Sequence, residues 1–400
     1  MDEYNPQLEE QKTDAANTNP PTFEQPGVST IPHSYVTFIP YGFTPKTYEE
    51  RKGIRKSSLA IGTSLIITMA VLIFWSVAYI FIMGKLGFTS EKAMEIVQDP
   101  AIMQVMQVVL SMLMFTVPFI AIFKANGERI SNLVPLEKPR RGNRSAMYFI
   151  GVAFCAFANI ATSAASQFFS FFGIDYNVNS GETPKGFFGF LLCFLSTVAV
   201  PALVEEFAFR GLVLGSLRRY GDGFAVIVSS ILFGFMHGNF EQMPFAFLVG
   251  LALGFIVVKT NSLLLAMAVH ATNNFVSVIF DFMPGSIPQT AQNIIYSVFL
   301  FICLTLGILA LALSENSKEL FKFEKSNCES ELKQRFKWFF TSPVIIIFIV
   351  ICIAESLVYF NGIGSTGGGR IILFNSFYRR ICGFHIYRYS DLFVRGNRRL

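Results

Sequence analysis

Residues 187–217 read FFGFLLCFLSTVAVPALVEEFAFRGLVLGSL, an apolar run of 31 residues whose only charges are Glu205, Glu206 and Arg210. A helix of that length exceeds the ~20 residues that cross a ~30 Å hydrocarbon layer. An ionised side chain at bilayer depth costs about 2.5 to 3.5 kcal/mol on the lenient insertion scale. Three cost about 8 to 10 kcal/mol, so roughly twenty Leu- or Phe-like residues at about 0.3 to 0.6 kcal/mol each are needed to offset them. The run therefore reads as a membrane helix that carries its charges for a purpose. Pro201 predicts a kink just before the acidic pair, freeing backbone groups beside Glu205 and Glu206. At a spacing of four, Glu206 and Arg210 share one helical face and pair, whereas Glu205 points about 100° away and stays available.

The rest of the chain agrees with a membrane reading. Of its 400 residues, 52% are hydrophobic, 15% are charged and 45 are phenylalanine. An ordinary soluble domain carries about a quarter charged residues. The formal charge of +5 is small for this length, and its placement in loops suits a membrane protein better than a nucleic-acid binder. The six cysteines, Cys155, Cys193, Cys303, Cys328, Cys352 and Cys382, lack zinc-knuckle spacing and a disulfide pattern, and read as small core hydrophobes.

Apolar segments lie at 57–83, 101–123, 146–172, 187–217, 224–240, 243–258, 262–281, 293–313 and 343–360. The fold expected is all-α, a polytopic membrane bundle of about eight or nine helices over 57–360. Residues 1–56 carry Asn19-Pro20-Pro21, Pro26-Gly27 and Pro32 without periodicity and read as a disordered tail. Lys and Arg gather before the first span (Arg51, Lys52, Arg55, Lys56), after the second (Lys124, Arg129, Lys138, Arg140, Arg141, Arg144), after the fourth (Arg218, Arg219), after the sixth (Lys259) and after the eighth (Lys318 to Lys337). This alternation predicts a multi-pass protein of the cell membrane with a cytoplasmic N-terminus. The tail 361–400 departs from the pattern, with seven arginines, no lysine and many aromatics. Either the segment 343–360 does not cross, or the tail is foreign to the fold.

Two of the four histidines fall in spans close behind the acidic pair, His237 in Phe233-Gly-Phe-Met-His237 and His270 in His270-Ala-Thr-Asn-Asn274. Asn274 stands one turn after His270 on the same face. A Glu–Arg lock between helices would account for the charges alone. The two histidines and the asparagine make the set an inventory for activating water and stabilising an oxyanion.

Glu205-Glu206-x-x-x-Arg210, Phe233-x-x-x-His237 and His270-x-x-x-Asn274, in this order on successive apolar segments, resemble the CPBP family of intramembrane proteases. That family includes the type II CaaX prenyl proteases and bacteriocin-processing and self-immunity relatives. The resemblance covers about 187–282, the expected catalytic core. It implies an endopeptidase, metallo- or glutamic in type, acting on peptides or proteins that are membrane-anchored or prenylated. Glu205 with His237 would activate water, His270 and Asn274 would hold the oxyanion, and Glu206 and Arg210 would support the site. Glu205, His237 and His270 also match the ligand count of a catalytic zinc or other divalent metal with an open position, and the same groups could work without metal. A non-catalytic immunity or scaffolding protein is the competing class. A transporter is disfavoured, because no inverted repeat or matched pair of broken helices is found. Beyond the bilayer and the substrate no partner is implied, and nucleic acid is not one.

Overall fold

The computed structural model describes residues 40–136, 144–171, 183–240, 242–314, 320–323 and 326–360. The expectations for residues 1–39 and 361–400, and for Lys138, Arg140, Arg141, Lys318 and Lys325, lie outside these; residues 45–56, expected in the disordered tail, instead form the first turns of a helix that Thr44 caps. The principal helices are α1 Pro45–Lys85, α2 Pro100–Ala125, α3 Arg144–Phe171, α4 Gly186–Tyr220, α5 Asp222–Met236, α6 Gln242–Thr260, α7 Leu263–Asp281, α8 Gln289–Ala312, α9 Leu332–Phe340 and α10 Pro343–Phe360. Among the described residues no strand forms, and the one β-type contact is an isolated bridge between Leu136 and Ser262.

The expected all-α polytopic bundle is therefore observed, with fewer full spans than segments. Among the described residues, seven helices are long and apolar enough to cross a membrane, or eight when α9 with Pro343–Leu357, bent by 72°, counts as one span. Helix α5 has 15 residues, a length of about 22 Å, too short for the hydrocarbon thickness.

Local chemistry sets the helix ends. Thr44 closes a capping box with Thr47 ahead of Pro45 at the start of α1, and Asp99 accepts the Ala101 and Ile102 N–H groups ahead of Pro100 at the start of α2. Helix α4 turns into α5 at Gly221, whose φ of +114° suits glycine alone.

Helix α6 packs along α5 and α3, α8 packs on α3, α1 lies against α2 and α10, and α4 is enclosed by α2, α5 and α7. The C-terminal half of α4 is the centre of the core, with Ala208, Phe209, Leu212, Val213, Leu214 and Leu217 fully buried. Outward-facing Phe74, Val77 and Phe81 of α1 and Val298, Phe301 and Ile308 of α8 are exposed, as apolar side chains are where lipid replaces water.

The basic loops meet at one end of the bundle. Thr44 and Lys46 contact Glu329, and Glu50 accepts the backbone N–H groups of Glu329 and Ser330. Arg335 reaches the carbonyl of Tyr220, Lys259 reaches that of Lys322, and Arg219 pairs with Glu128. The starts of α1 and α9 and the loops after α2, α4 and α6 thus share one side, the relation that alternating crossings require.

Candidate active site

Helix α4 runs without a break past Pro201. The disruption expected at the proline takes the form of two π stretches, Phe194–Ala199 and Phe207–Val213, on either side of the α-helical Val200–Glu206. The position of the first follows from covalent chemistry. In α register the carbonyl of Thr197 would take the N–H of residue 201, and in π register that of Ser196 would; proline has neither to give. These two carbonyls are met by side chains from neighbouring helices. Gln107 of α2 donates Nε2 to Ser196 O at 3.2 Å, and Asn274 of α7 donates Nδ2 to Thr197 O at 3.0 Å. Pro201 thereby makes the docking point that holds Asn274.

Below this lies the acidic pair. Glu206 and Arg210, both 0% exposed, form the expected i,i+4 ion pair at 2.9 Å. The same carboxylate oxygen, Oε1, also receives Nδ1–H of His270 from α7 at 2.8 Å. The Arg210 guanidinium stacks 4.1 Å from the centre of the Phe233 ring, which supplies attraction where its Nε and Nη2 find no hydrogen bond among the described residues. Phe233 meets both histidines edge to face, with ring centres 4.9 Å from His237 and 6.2 Å from His270.

The tautomers follow from these partners. His237, at the end of α5, turns Nδ1 to the carbonyl of Phe233 at 2.8 Å. A carbonyl only accepts, so Nδ1 carries the proton and Nε2 has a free lone pair. The loop behind it is fixed by Asn239, which donates to the His237 carbonyl and caps α6 through the Gln242 N–H. His270, held by Glu206 through Nδ1, has no partner on Nε2 among the described residues. Glu205 is half-buried and makes no hydrogen bond or ion pair among the described residues.

The fold thus brings His270, Glu206, Arg210, Phe233 and His237 into one cluster, with Glu205 the next residue on α4 and Asn274 one turn along α7. His270 is bonded to Glu206, Asn274 to a backbone carbonyl, and no direct bond joins Glu205 to His237. Among the described residues, no group of three or more His, Cys, Asp and Glu side chains is arranged to hold a metal ion. Glu205, His237 and His270 do not gather as such a group. Sequence reasoning gave no role to Thr197, Gln107 or Phe233. A proline four residues after Thr197, and a phenylalanine one turn before His237, were the available signals.

Residues 187–276 match the family described as type II CAAX prenyl endopeptidase, Rce1-like. The chain is also 29% identical over 108 residues to the membrane-embedded CAAX protease MroQ of Staphylococcus aureus (strain USA300), a stretch covering 24% of this chain and 44% of that relative. The chain thus matches less than half the length of this relative. No solved structure matches it.

Proposed function

From residues 187–276 as a core of the CPBP family, the membership that their match supports, we propose that this chain is an intramembrane endopeptidase that hydrolyses peptide bonds of membrane-associated or CaaX-type substrates. One observation carries the reading. Of two adjacent carboxylates in a membrane helix, Glu206 is bound by both Arg210 and His270, and Glu205 is left half-buried without a hydrogen bond. A non-catalytic binding protein needs the first and has no use for the second, since a carboxylate without a partner is costly at this depth.

In the reaction Glu205 takes a proton from water while the oxygen attacks the peptide carbonyl. The oxyanion is met by Nε2–H of His270, which acts as the imidazolium while its Nδ1–H stays on Glu206, and by Asn274, anchored on Thr197. Glu205 then returns its proton to the leaving amine as the C–N bond breaks. His237 orders the attacking water through the lone pair on Nε2.

The test is cleavage by the purified full chain in proteoliposomes, offered quenched-fluorescent peptides with and without a farnesylated C-terminal Cys-a-a-X. Cleavage of at least one class supports the reading. Tight binding of a peptide that is never cut would favour the immunity or scaffolding alternative.

A further inference from the structure

A row of side chains reaches Asn274 from the face of α7 turned to α3 and α8. Tyr296 of α8 donates its hydroxyl to Asn159 Oδ1 at 3.1 Å. Asn159 of α3 donates Nδ2 to the Cys155 carbonyl at 2.9 Å and to Asn273 Oδ1 at 3.2 Å. Asn273 donates Nδ2 to Asn274 Oδ1 at 3.1 Å, and Asn274 donates Nδ2 to Thr197 O at 3.0 Å. Four helices are joined by one line of amides.

Its direction is fixed from both ends. The carbonyls of Cys155 and Thr197 only accept, so Asn159 and Asn274 turn nitrogen towards them. The nitrogen of Asn159 then requires the oxygen of Asn273, whose nitrogen meets the oxygen of Asn274. Flipping any one amide sets like groups against each other on at least one side. Packing alone does not hold these groups, because Asn159, Asn273 and Tyr296 border a cavity of about 20 Å³ between α3, α7 and α8, room for about one water molecule.

We propose that Tyr296, Asn159 and Asn273 are positioning residues that lock the Asn274 carboxamide with its nitrogen towards α4. One N–H of that nitrogen is taken by Thr197; the other has no partner among the described residues and is presented to the oxyanion. This role rests on the endopeptidase reading above. Amide donors held rigidly before the charge develops stabilise it more than donors that must reorient.

The test is a double-mutant cycle on a quenched-fluorescent peptide that the wild-type proteoliposomes cleave. Asn159→Leu is expected to lower kcat about three- to tenfold with KM changed by less than about twofold. In an Asn274→Leu background the same change is expected to cost nothing further. Additive losses, or an unchanged kcat, would overturn the proposal. A second readout needs no turnover: in asparagine-labelled protein the Asn274 side-chain amide resonance, identified by its loss in Asn274→Leu, is expected to shift in Tyr296→Phe. A resonance unmoved by that change overturns the relay. If the wild type cleaves no peptide, the endopeptidase reading fails and the resonance still decides the relay.

Discussion

The Nδ1 atom of His270 lies 2.8 Å from Oε1 of Glu206, joining two residues 64 positions apart at a carboxylate that also binds Arg210. One fully buried oxygen thus ties α4 to α7 and fixes which histidine nitrogen faces the site. Removing its charge strands Arg210 without a counter-ion in the core. Glu206→Gln is expected to destabilise the fold by about 3 to 5 kcal/mol, read as a marked fall in thermal midpoint. An unchanged midpoint would mean that the ion pair does not anchor the helices.

Pro201 acts on the site through the carbonyls it leaves unpaired. Pro201→Ala restores an N–H that competes with Gln107 and Asn274 for Ser196 O and Thr197 O. Thermal stability is expected to hold or rise, since a helix gains by losing an internal proline. Peptide cleavage is expected to fall as Asn274 loses its anchor. A variant at least as stable and fully active would separate the proline from the site.

Close approach of α8 to α3 depends on Gly307, where a Cβ would stand 2.1 Å from Ala153 Cβ and 3.1 Å from the Phe149 carbonyl, whereas around Gly285 nothing lies within 4 Å. Gly307→Val is expected to cost about 1 to 3 kcal/mol of stability, and Gly285→Val very little. Equal thermal midpoints for the two would contradict this packing.

Orientation is tested by single cysteines. Asn327 belongs to the end of the bundle where the basic loops meet, and Gly285 lies in the loop from α7 to α8. Asn327→Cys is expected to react with a membrane-impermeant thiol reagent from the cytoplasmic side alone, and Gly285→Cys from the opposite side alone. Reversed labelling would turn the site towards other substrates.

Much of this arrangement was legible in the sequence because it depends on position along one helix. The spacing of four between Glu206 and Arg210, and between His270 and Asn274, places each pair on one face whatever surrounds it. Each of the nine apolar segments contains a helix among its described residues. What could not be read depends on neighbours. Which carboxylate receives His270, and which carbonyl receives Asn274, is settled by how α7 meets α4. The first π stretch answers Pro201 with donors from other helices, and a local pattern predicts only that something must yield there. The short α5 and the bent α9–α10 pair show the limit of hydropathy, which registers apolar residues without their depth. Asn159 and Tyr296 stood outside every motif, on helices whose sequence gave no reason to look.

The division of labour between the adjacent carboxylates is the centre of the account, and Glu205→Gln tests it most directly. The substitution keeps the volume of a half-buried side chain that bonds to nothing else and removes only its ability to take a proton. Cleavage of a quenched-fluorescent peptide in proteoliposomes is expected to fall by about 10²- to 10⁴-fold, with the thermal midpoint of the wild type retained. Cleavage at the wild-type rate by Glu205→Gln would contradict the assignment of the general base.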